Sequence, residues 1–195
     1  MNPEPPTVKA PVQIVDYHTD WPRMYVGEAA RIRPAIASVG LAIEHVGSTA
    51  VPGLAAKPVI DIVVGVRHLD DAKLCVDPLA EIGYEYVPEY EDDIPDGRYF
   101  HKGPPGGCTH HLHMAEFRGD FWRRHLLFRD FLRSHPERAR EYERLKRELA
   151  VTFGRDHLGY TEAKTAFIRA VEAEAIGDLI RQTVLDTFPA RAAAE

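Results

Sequence analysis

The sequence predicts an α/β (α+β) domain, a mixed β-sheet flanked by helices, with a helical C-terminal region. Short β-branched runs alternate with helical segments over about 12–116, and the pattern from about 119 to 188 is helical. The run 59–66 is apolar on both faces, as in a central strand. These observations predict one domain over 12–188, preceded by a loose polar tail at 1–11.

The individual elements follow from caps, breakers and periodicity. The first helix is expected near Trp21, with Thr19 or Asp20 as its cap and Pro22 in its first turn. Thr161 is expected to cap the last helix. Strands are predicted at 41–46, 59–66, 84–87, 98–102 and 109–115, and further helices at 70–82, 121–133, 136–153 and 161–187. Pro78 interrupts the segment 70–82, and Asp77-Pro78 could begin a second short helix there.

Composition limits the classes of function. With 195 residues, a net charge of -6 and a pI near 5.9, the chain is a poor general nucleic-acid binder, which needs a basic surface. A local cluster of cations could still hold a small anion. Cys75 and Cys108 share no ligand spacing and are expected to be reduced thiols. The N-terminus does not resemble a signal peptide and no apolar run would span a bilayer, so a cytoplasmic protein without membrane contact is expected.

Common catalytic signatures are missing from the sequence. It contains no P-loop, no GxGxxG after a strand, no HExxH, no paired CxxC and no GxSxG. Their absence counts against common kinases, dehydrogenases, zincins and esterases.

The turn Gly47-Ser48-Thr49 ends the first predicted strand. Glycine lets a backbone approach a phosphate closely, and hydroxyl and amide groups can donate hydrogen bonds to its oxygens. The turn is therefore a candidate phosphate site. An ordinary turn rich in small polar residues explains the same letters.

Asp61 lies inside the apolar strand 59–66, where an unpaired carboxylate is costly. It could be a metal ligand or a catalytic acid; Lys57 and Arg67 are alternative structural partners. His111 and His113 share one face of the strand at 109–115. Two imidazoles could ligate a metal or move protons, or they could be tolerated strand residues.

Several cations could neutralise phosphate charge. Lys57 precedes Asp61 by four positions, and Arg98 and Lys102 share one strand face. Lys164 lies further along the chain. Each, taken alone, also fits a solvated surface charge.

The string at 44–62, EHVGSTAVPGLAAKPVIDI, resembles the signature of the GrpB family (UPF0157). The resemblance continues at 83–84, 98–102, 109–113, 121–122 and 131–133, and covers roughly 12–175. It includes Tyr142, Leu145, Lys146, Tyr160 and Lys164. These matches imply a member of that family.

The resemblance implies a nucleotidyltransferase-like fold, in which Gly47-Ser48 and Asp61 match the turn and the first carboxylate. Asp61 would then hold a divalent metal, Mg²⁺ by expectation. We add the hypothesis that His111 and His113 complete or tune this site, so that Asp61, His111 and His113 are the expected metal ligands and catalytic residues. The family's occurrence fused to dephospho-coenzyme A kinase domains hints at nucleotide or coenzyme A metabolism. The residues expected to hold a nucleotide or phosphate are His45, Gly47, Ser48, Thr49, Lys57, Arg98 and Lys102.

One departure from the superfamily pattern matters. Val63 stands where a second carboxylate is expected, and two-metal phosphoryl transfer needs several oxygen ligands.

The leading interpretation is a protein that binds a nucleotide or another phosphorylated small molecule, with metal-dependent nucleotidyl transfer as a possible activity. The rivals are an inactive binding or regulatory module, a single-metal hydrolase that uses Asp61, His111 and His113, and a helix-mediated interaction protein.

Overall fold

The computed structural model describes residues 11–104 and 107–187, including the side chains on which the site depends. Five strands form one sheet in the order β1-β2-β5-β4-β3. The strands are β1 (Gly40–Val46), β2 (Ile60–Val66), β3 (Glu85–Tyr86), β4 (Gly97–Lys102) and β5 (His110–Glu116). Only the β2–β5 pair is parallel; β1–β2, β3–β4 and β4–β5 are antiparallel. The predicted mixed sheet is therefore confirmed.

Six α-helices surround this sheet within the described residues. They are α1 (Trp21–Ala35), α2 (Val76–Glu81), α3 (Asp120–Ser134), α4 (Pro136–Phe153), α5 (His157–Ala163) and α6 (Thr165–Thr187). The helical C-terminal region is confirmed. The tail predicted at 1–11 lies almost wholly outside the described residues, and so does residue 188, the predicted end of the domain.

Three apolar clusters hold the elements together. Ile32 of α1 packs with Ile62, Leu112 and Phe100 on one face of the sheet. On the other face, Val46, Val63 and Ala115 meet Trp122 of α3. A third cluster joins α3, α4 and α6 to the loop after β1; it contains Val51, Leu54, Phe128, Phe131, Leu132, Tyr142, Val171 and Ala175. This cluster brings α4 beside the Gly47 turn.

Three local details differ from the prediction. Asp20 occupies the N-cap position of α1, but its side chain makes no capping hydrogen bond. The helical segment expected at 70–82, with a second short helix at Asp77-Pro78, is indeed divided, but its first part is a 3₁₀ segment, Leu69–Cys75, and α2 begins at Val76. The helix expected at 161–187 is divided into α5 and α6, and Asp156, rather than Thr161, caps α5 by accepting from the Gly159 amide at 2.9 Å. Short polar segments of this kind are decided by tertiary packing.

Candidate functional site

Asp61 and His111 face each other across the parallel pair β2 and β5. They are register partners, and the Nδ1 atom of His111 lies 2.9 Å from Oδ1 of Asp61. Asp61 shares its face of the sheet with Val63, which packs against α3, because side chains alternate along a strand. Both polar side chains keep access to solvent, with exposed fractions of 32% for Asp61 and 24% for His111. The pair is therefore an accessible polar feature on an otherwise apolar strand.

Each member of the pair stabilises the charge of the other. Burial raises the pKa of Asp61, but the hydrogen bond and charge of His111 outweigh burial and leave that pKa below its ordinary value. Burial lowers the pKa of His111, but hydrogen bonds to Asp61 and to the Cys108 thiol raise it to about 9. At neutral pH the two side chains therefore form an ion pair.

Replacing Asp61 with asparagine tests this assignment. We expect the pKa of His111, followed by NMR of its ring protons, to fall from about 9 towards or below 6.5, because the carboxylate that holds the proton is gone. His113 serves as the internal reference, since burial already lowers its pKa to about 3. A His111 pKa that stays near 9 in Asp61→Asn would contradict the ion pair.

Gly47 packs directly against the Asp61 carboxylate. Its backbone has φ 69° and ψ -171°, a conformation that is essentially restricted to glycine. A Cβ atom at this position would lie 2.9 Å from Cγ of Asp61, closer than atoms can approach. The glycine of the predicted turn is therefore fixed by its contact with Asp61.

Ser48 is held by a lysine from a distant helix. Nζ of Lys146, on α4, lies 3.0 Å from Oγ of Ser48 and also donates to the carbonyl oxygen of Ala55. Lys146 is only 2% exposed, and its Nζ sits 4.7 Å from the ring centroid of Tyr142. Burial lowers its pKa to about 7, and the charge of Lys164 adds to the effect. Lys146 thus carries a proton that is only weakly held at neutral pH.

Two further lysines, Lys57 and Lys164, add positive charge to the same site. Lys164, just after α5, lies 4.2 Å over the ring of Tyr160. Burial lowers the pKa of Lys164 to about 8, the charge of Asp61 opposes that change, and the charge of Lys57 adds to it. Among residues 11–104 and 107–187, none of Lys57, Lys146 and Lys164 has a carboxylate within ion-pair distance. The site therefore carries more positive than negative charge.

Thr49 and His45 belong to the scaffold of the turn. Oγ1 of Thr49 donates to the carbonyl of Val59 at 3.2 Å and lies 3.0 Å from Nε2 of His45. The His45 ring stacks on Tyr25, and burial lowers its pKa to about 4, so it is neutral. Both side chains are buried and already hydrogen bonded. They support the turn from the α1 face of the sheet, and neither points a free donor at the Asp61 face.

Arg98 and Lys102 do not join the site. In β4, Tyr99 and His101 pair with His113 and His111, so Arg98 and Lys102 lie on the opposite face. Lys102 pairs there with Glu28 of α1 at 2.7 Å, and Arg98 lies 3.5 Å from Glu91. The prediction that these two share a face is correct, but it is the face turned away from Asp61.

Comparison with known proteins identifies the relatives of this fold and site. The sequence model described as "GrpB protein" matches residues 11–174. The chain belongs to the GrpB family. It is 36% identical over 167 residues to the UPF0157 protein YqkA of Bacillus subtilis, covering 86% of this chain and 48% of that protein. It also resembles the crystal structure of the conserved protein GrpB from Enterococcus faecalis, with a TM-score of 0.77, 36% identity, and coverage of 86% of this chain and 99% of that chain.

Another relative in sequence is named as a kinase rather than as a UPF0157 or GrpB protein. The chain is 31% identical over 183 residues to a dephospho-CoA kinase of Mycolicibacterium paratuberculosis, covering 83% of this chain and 45% of that protein. This GrpB-family chain therefore spans about half the length of both curated relatives named here.

Of the three expected metal ligands in this GrpB-family chain, Asp61 and His111 meet, but His113 does not join them in a group suited to a metal ion. Nδ1 of His111 is engaged by Asp61. His113 is packed among the rings of Tyr99, Phe121 and His125, and its Nδ1 has no hydrogen-bond partner. No group of three His, Cys, Asp or Glu side chains suited to a metal ion forms within 11–104 and 107–187. Asp61, His111 and His113, with lysines beside them, fit a divalent metal poorly.

Two side chains of the site escaped the sequence reasoning. Lys146 is separated from Ser48 by almost a hundred positions, so the sequence does not show that they meet. The signal that could have drawn attention to Lys146 is its spacing, because it lies one turn after Tyr142 and these two are the buried residues of α4. Cys108 is a free thiol, as expected, and its Sγ lies 3.2 Å from the carbonyl oxygen of His110. Burial raises the thiol's pKa, but the interaction with His111 brings it below its ordinary value.

Within the described residues, no helix has the length and apolar character needed to cross a membrane.

Proposed function

We propose that this GrpB-family protein binds a phosphorylated small molecule of the nucleotide class. The observation that carries the proposal is a set of three lysines, Lys57, Lys146 and Lys164, without an ion-pair partner among the described residues. The charge of Lys164 acts on Lys146 and on Asp61, and the charge of Lys57 acts on Lys164. Ser48 offers a hydroxyl at the same point, half-buried and next to Gly47. An anion placed there would meet several positive groups at once.

Electrostatics favours an anion over a cation in this site. Buried ammonium groups are unfavourable unless a negative charge or hydrogen-bond acceptors compensate them, and the lowered pKa values of Lys146 and Lys164 report that compensation is incomplete. A phosphate brings negative charge and several acceptor oxygens, so it would stabilise the protonated form of Lys164, the less buried of the two lysines. His111, already protonated by its contact with Asp61, adds a further positive charge.

Binding is better supported than metal-dependent transfer. Val63, at the second carboxylate position, is fully buried beneath α3 and contributes to the apolar cluster there. One carboxylate held by a protonated histidine leaves few oxygen ligands for the metal pair of a nucleotidyltransferase. We therefore propose a binding protein on this fold, with nucleotidyl transfer as the rival that turnover of a labelled nucleotide would establish.

Calorimetric titration tests the binding proposal directly. ATP, CTP, inorganic pyrophosphate and dephospho-coenzyme A are the probes; the last is included because a relative is named dephospho-CoA kinase. We expect binding by at least one of them, weakened about tenfold in Lys164→Gln, because loss of one charge-assisted contact removes about 1.5 kcal/mol or more.

The matched control is Lys73→Gln, which removes the same charge from an exposed surface pair with Asp70. It should leave the affinity unchanged within about twofold, since exposed pairs are screened by solvent. Absence of binding at millimolar concentrations of all four probes, or an equal loss in the two variants, would refute the proposal.

A further inference from the structure

Lys146 is a buried amine that contacts one side-chain hydroxyl and one backbone carbonyl. The side chain is 2% exposed, and within the described residues no carboxylate lies at ion-pair distance from it. Its Nζ contacts are Ser48 Oγ at 3.0 Å and the carbonyl of Ala55. A lysine used only to stabilise a fold is normally paired or exposed, so this arrangement asks for a further role.

Tyr142 completes a three-residue cluster with Ser48 and Lys146. It lies one turn before Lys146 on α4, and its ring centroid is 4.7 Å from Nζ. Burial raises the pKa of Tyr142, and Ser48 opposes that change. The Ser48 hydroxyl is thus held by the Lys146 amine, with the Tyr142 phenol acting on the same group, while Ser48 itself is half-buried. The side chains of Lys146 and Tyr142 are buried in the protein interior.

A serine becomes nucleophilic when a neighbouring base takes its proton. A lysine acts as such a base only in its neutral form, and burial supplies that form near neutral pH, since the pKa of Lys146 is lowered to about 7. The charged groups that act on this amine are Lys164, Glu143, Arg147 and Asp61.

We propose that Ser48 is a nucleophile that accepts a phosphoryl group, with Lys146 as its base. The step rests on the proposed function, because the phosphorylated ligand is the donor. Ser48 Oγ forms a bond to phosphorus, and the bond between phosphorus and the leaving oxygen breaks, with its electron pair departing on that oxygen. The hydroxyl proton passes to the neutral Nζ of Lys146. The cations Lys57 and Lys164 face the charge that develops on the phosphoryl oxygens.

A fluorophosphonate reagent tests the nucleophile separately from ligand binding, because it is an uncharged electrophile that needs no cationic site. We expect covalent labelling at Ser48, located by peptide mass spectrometry, and none in Ser48→Ala. The chain contains two other serines, Ser38 and Ser134, as internal references. Ser134 is exposed and hydrogen bonds to the carbonyls of Asp130 and Phe131, so it should stay unlabelled. Labelling of all three serines at similar rates, or of none, would overturn the inference.

Lys146→Met should slow labelling of Ser48 about 100-fold, the usual contribution of a positioned base. The wild-type labelling rate should rise with pH through a midpoint near 7, the pKa of Lys146, and this measurement does not depend on the variant folding. A flat pH profile would refute the role of Lys146. If pyrophosphate binds but Ser48 is not labelled, the nucleophile is refuted and the proposed function stands. If Ser48 is labelled but none of the probes binds, the proposed function is refuted and the reactivity of Ser48 stands.

Discussion

Gly47→Ala is expected to lose about 3–5 kcal/mol of unfolding free energy and to abolish pyrophosphate binding. Two effects combine at this position. The backbone conformation at φ 69° and ψ -171° is strained for any residue with a Cβ atom, and the added methyl group would lie 2.9 Å from both Cβ and Cγ of Asp61. Relief requires movement of the turn, which displaces Ser48, or of the carboxylate, which separates Asp61 from His111. Urea unfolding and calorimetry with pyrophosphate measure the two losses.

Gly53→Ala is the matched control for that experiment. Gly53 also has a positive φ, 79°, but a Cβ atom there would have nothing within 4 Å. Only backbone strain should remain, about 1–2 kcal/mol, and ligand binding should persist. Equal losses of stability in the two variants would show that the contact between Gly47 and Asp61 contributes nothing.

Lys146→Met is expected to change the pH dependence of stability. The folded-state pKa of Lys146 is about 7, against 10.5 for an exposed lysine, so between these values the unfolded chain binds more protons than the folded one. Stability of the wild type therefore gains from this group as the pH rises from 7 towards 10, and methionine removes that gain. We expect the wild type to gain about 4 kcal/mol relative to the variant over that interval.

The difference in unfolding free energy between the wild type and Lys146→Met isolates the contribution of Lys146. Groups whose contribution changes with pH in the opposite direction are present in both proteins and cancel. His111, whose folded pKa is raised to about 9, stabilises the fold fully below pH 6.5 and loses that contribution as pH rises to 9, in both proteins alike. Lys73→Met, at an exposed site, should show no such pH-dependent difference from the wild type. A wild-type to Lys146→Met difference that is constant from pH 6 to pH 10 would contradict a buried titrating amine.

Strong local patterns predicted most of the fold. The bounds of α4, Pro136–Phe153, agree with the prediction because proline and glycine flank a clear periodicity. The β-branched run gave β2 to within one residue. The region 69–81 and the α5–α6 junction were less well predicted, because their short segments carry weak propensities that packing overrides.

The candidate site was partly visible in the sequence. Asp61 and the Gly47 turn stood out because an acid in an apolar strand and a glycine-rich turn are locally unusual. Even spacing showed that Arg98 and Lys102 share a face, but it could not show which face of the sheet that was. Lys102 and Glu28 are brought together by the docking of α1, a contact between distant parts of the chain.

By itself the sequence determined the mixed sheet, the helical C-terminal region, the acid within an apolar strand and the family, because periodicity, turn residues and a long specific motif are all local in the chain. Only the tertiary structure decided that Lys146 and Lys164 lie by Ser48 and Asp61, and that Arg98 and Lys102 do not. The physical reason is that the pKa of a group depends on its burial and on its distance from other charges. The packing of α3, α4 and α6 sets this burial and this distance for residues that are nearly a hundred positions apart in the chain.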